Sequence, residues 1–250
     1  KKDSLDKVMK KLADITFRVD RRDCVDLPDL TEQVREVHLS EEQKKFKRAI
    51  QNELKGEMDR LGMKNTTVKN KTMKLLQVNG GFVLDGEKSI RMKDVPKLEA
   101  MYEIIEESSG KVIVFHSFVE EGRMIEEFLR KKGVTFSSLR GEVKDKDAEV
   151  EKFKSSSSSK VLVAHPASGG IGQNFQFSNV IVWYSYAMLS PTRLNQAIGR
   201  IYRTGQKLAC MVYYLVTRHS ADEPALLSIF DNADQAQAIL DWLRDYQENG

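Results

Sequence analysis

The feature that most constrains the fold is an alternation. From about Val95 onward, short apolar runs recur at KVIVF (111–115), VTFSSL (134–139), KVLVA (160–164), NVIVWY (179–184) and CMVYYLV (210–216). Between the first two lies VEEGRMIEEFLRKKG, where Met124, Ile125, Phe128 and Leu129 form an apolar stripe at helical spacing and Gly133 marks the stop. Short strands separated by helices of this length are joined by crossovers, and crossovers build a parallel sheet with helices on both faces. The expected fold is therefore α/β and doubly wound. In such sheets ligands collect at the carboxyl ends of the strands. The unusual residues lie at those ends: HSF (116–118), RGE (140–142) and HPASGGIGQN (165–174).

The flanking segments read differently. Residues 1–94 are basic and helical in pattern. In LSEEQKKFKRAIQNEL, Ser40 is a plausible N-cap, and Phe46, Ile50 and Leu54 repeat every fourth residue. TTVKNKTMKLLQV makes a second amphipathic helix, broken by Asn79-Gly80-Gly81. Between Val25 and Leu39, Val34, Val37 and Leu39 are interspersed with charge, as in a short strand. Residues 217–250 are acidic, with Ala236, Ile239, Leu240 and Leu243 on one helical face. KSSSSSK (154–160) reads as a solvated loop. The expected division is a helical N-terminal extension over 1–94, the α/β body over 95–216 and a helical C-terminal extension over 217–250.

Composition excludes more than it assigns. Lys and Arg number 40 against 37 Asp and Glu, a net charge of +3, so no global basic field announces a nucleic-acid partner. Cys24 and Cys210 are the only cysteines, which suits a reducing compartment. The four histidines are scattered without zinc-ligand spacing. No apolar run is long enough to cross a bilayer, and KKDSLDKVMKKLADI lacks the apolar core of a signal peptide. An intracellular setting, cytoplasmic or nuclear, is expected.

The chemistry concentrates in LNQAIGRIYRTGQK (194–207). If 194–203 is helical, Gln196, Arg200 and Arg203 share one side at steps of four and three. A guanidinium donates two parallel hydrogen bonds and stays charged at physiological pH, which suits a phosphate. One element earlier, Gly169, Gly170 and Gly172 follow an apolar strand, and glycines let backbone N–H groups approach an anion. Taken alone, each feature also fits an ordinary solvated helix and a tight turn.

In order, KVIVFHSF, LRG, VLVAHPASGGIGQNFQ and VIVWYSYAMLSPTRLNQAIGRIYRTGQK resemble the second RecA-like lobe of superfamily 2 helicases, most closely the Swi/Snf-type DNA translocases. Gln196, Ala197, Arg200, Arg203, Gly205 and Gln206 match the last motif of that lobe, and Gly170, Gly172 and Asn174 match its Gly-rich motif. Gln173 stands where the family usually has Leu. Gly199 stands where Swi/Snf members usually carry Asp, as in the wider superfamily pattern Q-x-x-G-R-x-x-R. The resemblance implies that Arg200 and Arg203 are catalytic and reach ATP across a cleft. It implies that Gln196, Gly170, Gly172 and Asn174 belong to the nucleotide side. It places Ser117, Phe118, Arg140, Ser168 and His116 where the family tracks a nucleic-acid backbone. The implied partners are DNA rather than RNA and a first RecA-like lobe, with ATP and Mg2+ held mainly by that lobe in a monomeric protein. Residues 1–94 would then be the link leaving the first lobe.

Two motifs of such an ATPase are missing from the chain. The only Gly-Lys pair, Gly110-Lys111, has no glycine five residues earlier, and Val112 replaces the Ser or Thr of a P-loop. Asp222-Glu223 imitates a metal-binding D-E box, but TRHS separates it from the preceding apolar run, so it reads as an acidic helix. The chain alone is therefore expected not to hydrolyse ATP. The competing reading is a non-catalytic α/β module that binds nucleic acid or protein. A small-molecule α/β enzyme lacks a nucleophile motif such as G-x-S-x-G.

Overall fold

The structure, a computed structural model, describes residues 27–63, 71–155, 159–167, 174–187 and 189–230. Ser168, Gly170, Gly172, the N-terminal segment KKDSLDKVMKKLADI and the apolar stripe Ala236–Leu243 lie outside the described residues.

The strands are β1 (Leu30–Val37), β2 (Phe82–Asp85), β3 (Lys88–Arg91), β4 (Lys111–Phe115), β5 (Phe136–Leu139), β6 (Val161–Ala164), β7 (Ser178–Trp183) and β8 (Cys210–Thr217). The helices are α1 (Glu41–Gln51), α2 (Lys55–Arg60), α3 (Lys71–Gly80), α4 (Pro96–Glu107), α5 (Val119–Lys131), α6 (Lys146–Ser155), α7 (Pro191–Ile201) and α8 (Asp222–Leu227). Six strands form one parallel sheet in the order β1-β8-β7-β4-β6-β5, and β2 and β3 make a separate antiparallel hairpin.

The two faces of β4 show why the apolar runs lack alternation. Val112 and Val114 join Ile125 and Leu129 of α5 in one core, while Ile113 and Phe115 join Leu194, Ile198 and Ile201 of α7 in the other. A strand covered on both sides is apolar throughout. The connections of β4 and β7 pack on opposite faces, so the crevice of a doubly wound sheet opens at the carboxyl ends of these neighbours.

Two boundaries differ from the sequence expectation. β1 lies in the segment assigned to the extension, yet it pairs in register with all of β8, from Leu30 opposite Cys210 to Val37 opposite Thr217. The body therefore draws a sheet strand from residues before 95. The helix expected over 194–203 ends at Ile201, with Tyr202 as its C-cap. Gly205 then adopts φ +95°, a left-handed turn that a side chain would strain. Elsewhere, α1 opens with a capping box: Ser40 Oγ accepts from Gln43 N at 3.3 Å, and Gln43 Oε1 accepts from Ser40 N at 3.0 Å. Lys111, of the false P-loop, donates to the carbonyls of Phe153 and of Ser159, the latter at 3.1 Å, and so ties the start of β4 to the end of α6.

Candidate functional site

The strand ends are stitched together by side chains. Ser117 N, just past β4, donates to Ser185 Oγ at 2.8 Å, just past β7. Ser117 O meets His165 Nε2 at 3.2 Å, just past β6, and His165 N donates to Leu139 O at 3.1 Å. His165 Nδ1 accepts from Ala167 N at 3.2 Å, which fixes the proton on Nε2. Burial holds this imidazole below its usual proton affinity.

Glu121, on the first turn of α5, braces the same row from below. Its Oε2 accepts from Ser117 N and Phe118 N, both at 3.1 Å, and from Ser185 Oγ at 2.5 Å. Complete burial raises its carboxyl to about 7 against the pull of those donors and of Lys97. Its Oε1 has no hydrogen-bond partner and faces Gly80, where a Cβ would come within 2.3 Å. Glycine is the residue that fits there.

This stitching corrects part of the nucleic-acid expectation. His116 and Ser117 are 1% and 5% exposed, so neither side chain reaches the surface. His116 Nδ1 meets Phe118 O at 2.8 Å, and burial pushes the imidazole down to about 3. Phe118 is partly buried and packs edge-on against Phe82 at 5.5 Å. Arg140 is held by both oxygens of Glu126, at 2.7 and 2.8 Å, with Glu142 at 3.4 Å. The sequence places these residues correctly at strand ends, but their polar atoms turn inward.

The expected nucleotide-side residues fare differently. Gln196 and Arg200 of α7 line a cavity of about 100 Å3 with Arg193, Phe115, Pro166 and Ala167. Arg200 is half-buried, and that burial lowers its proton affinity; a guanidinium stays charged at physiological pH. Its carbonyl accepts from Phe175 N at 3.1 Å, which joins α7 to the end of the Gly-rich segment. Asn174 is exposed, and its Oδ1 accepts from Gln176 N at 3.1 Å in a local turn. Arg203 lies beyond the helix end and is exposed on the turn.

Gln206 fixes that turn. It is 8% exposed. Its Nε2 lies within 2.9–3.1 Å of Ser178 O, Gln176 O and Ile201 O, and its Oε1 accepts from Lys207 N and Leu208 N, both at 2.9 Å. The sequence marked Gln206 as part of a motif and gave no sign of this role. Among the described residues, no group of three or more His, Cys, Asp or Glu could hold a metal, and no helix is long and apolar enough to cross a membrane.

Asp222 opens α8, the acidic helix expected there, and its side chain is buried. Its Oδ2 pairs with Lys97 Nζ at 2.5 Å, with both side chains 1% exposed. The pair ties α8 to α4, across the exit and entry of the body.

A parallel sheet with a cationic helix at its switch point defines the class: a RecA-like α/β lobe. Residues 96–205 match the helicase conserved C-terminal domain. The Bacillus subtilis "Uncharacterized ATP-dependent helicase YqhH" is 29% identical over 143 residues, which is 57% of this chain and 25% of that protein. The structure titled "Crystal structure of the C-terminal part of Fun30 ATPase domain" superposes with a TM-score of 0.64 at 17% identity, over 89% of this chain and 99% of that one. The Sulfolobus solfataricus SWI2/SNF2 ATPase core in complex with dsDNA gives a TM-score of 0.56 at 25% identity, over 85% of this chain and 47% of that one. Residues 96–205 therefore carry a helicase conserved C-terminal domain, and the chain is similar to the second, C-terminal RecA-like lobe of Swi/Snf-type superfamily 2 helicases, spanning about a quarter of the length of the Bacillus relative.

Proposed function

We propose that this lobe supplies half of an ATP site and part of a DNA groove to a two-lobed, ATP-driven translocase. The carrying observation is the placement of Gln196 and Arg200 on one face of α7, lining the cavity at the strand ends, with Arg203 on the turn just beyond. A second lobe closing on this face would bring bound ATP toward those guanidiniums. They would stabilise charge on the transferring phosphoryl group, a contribution of ~10³–10⁵ in rate where a positioned arginine has been measured. ATP and Mg2+ would be held mainly by the other lobe, as the family resemblance implies.

Coupling to DNA would pass through the Gly-rich segment. It runs from the stitched end of β6 to Phe175, whose N–H is held by Arg200 O. Gly170, Gly172 and Asn174 would then respond to the position of α7. Ser168 would meet the phosphodiester backbone, a role that needs hydroxyl and N–H donors more than a large basic field. Closing and reopening of the lobes with each ATP would step the protein along duplex DNA. The double-stranded substrate is supported by the dsDNA bound to the Sulfolobus core.

The test joins this lobe to its first lobe and measures DNA-stimulated ATP hydrolysis. Arg203→Ala is expected to lower kcat by at least ~10²-fold. Near-normal turnover would remove the arginine from catalysis. It would also favour the module reading, which tight, sequence-tolerant DNA binding by this chain alone would support independently.

A further inference from the structure

α7 carries another cation toward the same cavity. Arg193 precedes Gln196 by three residues and Arg200 by seven, so the three side chains run down one helical face. All three line the cavity, whose remaining wall is Phe115, Pro166, Ala167 and Ala197. No acidic side chain contributes to that wall, and none lies in the first turn of α7. The charge of Arg193 reaches the neighbouring strand end, where it adds to burial in keeping His165 neutral.

Two guanidiniums and a carboxamide around a small, otherwise apolar recess have the chemistry of an oxyanion site. The step of seven residues separates the two arginine Cα atoms by ~10 Å along the helix. They can therefore address different oxygens of one polyphosphate. We propose that Arg193 is a binding residue of this site and holds a phosphoryl oxygen of the nucleotide together with Arg200. The proposal rests on the reading of α7 as the phosphate-facing helix. It extends that reading to a residue outside the Q-x-x-G-R-x-x-R pattern.

The experiment uses the 250-residue chain with its arginine side-chain Nε–H groups labelled for NMR. Inorganic pyrophosphate is the probe, and Arg193→Gln assigns the signal. The expected result is that the Arg193 and Arg200 signals shift along one isotherm. Arg193→Gln should weaken that isotherm about fivefold, and Arg193→Lys, which keeps the charge without the fork, should fall between. If Arg200 responds and Arg193 does not, the proposal is overturned and the phosphate-facing reading of α7 stands. If neither responds, both fall. If Arg193 responds to a short DNA duplex and not to pyrophosphate, it belongs to a nucleic-acid groove, and the proposal is again overturned. The decisive signals are those of the unaltered chain, and Arg193→Lys, which also lacks the Arg193 Nε–H signal, gives the same assignment where Arg193→Gln fails to fold.

Discussion

Removing Asp222 or Lys97 should show how firmly the two ends of the body are fastened. The ion pair is 2.5 Å long and almost fully buried, and Thr217 N also donates to Asp222 Oδ2, at 3.0 Å. Lys97 Nζ lies 5.6 Å from the centroid of the Tyr184 ring. Asp222→Asn keeps an acceptor for Thr217 N but leaves the ammonium without its counter-charge. Breaking one side of a buried pair costs about 3–5 kcal/mol, a large part of a typical total of about 5–15. Lys97→Met strands the carboxylate and should cost a similar amount. The double variant Lys97→Met/Asp222→Asn removes both charges and should lie within about 1–2 kcal/mol of the parent, since a neutral, well-packed replacement is often tolerated. Urea unfolding, followed by circular dichroism and by the fluorescence of the two tryptophans, Trp183 and Trp242, gives the four free energies of the cycle. If the two single losses simply add in the double variant, the pair is not coupled and the latch is wrong.

Two further outcomes are expected. Glu121 has a carboxyl raised by burial from 4.5 to about 7 in the folded chain, so between these values the folded state binds the proton that the unfolded state has released. Stability should fall as pH rises through that window and level off above it; equilibrium unfolding of Glu121→Gln, which keeps the acceptor oxygen, should show the slope reduced, and an unchanged slope would assign it to another group. Gln206→Ala removes the side chain that holds the turn after α7 and leaves inward-facing backbone groups without partners, which should cost about 2–3 kcal/mol in chemical unfolding; a loss under about 0.5 would mean that water replaces the amide.

Much of the body was legible because its strands are buried on both faces. Each of the five apolar runs became a strand with ends shifted by at most two residues. β1 escaped as a sheet member because LTEQVREV carries three charges in eight residues, as suits an edge, and its partner β8 lies far along the chain. The β2–β3 hairpin carried a readable signal that was passed over. Gly86-Glu87 is a two-residue connection, and Gly86, at its first position, has φ +62°. Side-chain direction was not legible. His116, Ser117 and Arg140 look like surface contacts in the chain order, and only Glu121, Ser185 and Glu126 across the fold show why they turn inward.

That inward turn bears on how such a lobe can act. A guanidinium helps phosphoryl transfer only if it arrives within a few tenths of an ångström of its target, and a helix on a soft edge would not deliver it so. Among the described residues, Arg193, Gln196 and Arg200 on α7 line the cavity, and Arg203 lies on a turn fastened by Gln206; these are the groups the proposed function gives to a ligand. The hydroxyls, imidazoles and carboxylate at the strand ends bond to one another instead, from Leu139 through His165 and Ser117 to Ser185, with Glu121 beneath. Polar groups committed to one another in a buried row cannot also bind a substrate, but they hold the ends of β4, β5, β6 and β7 at fixed spacing. The row would therefore serve the proposed activity as a frame. Its disruption should impair hydrolysis and DNA response together, whereas loss of Arg203 should impair hydrolysis while leaving the fold and the strand-end row intact.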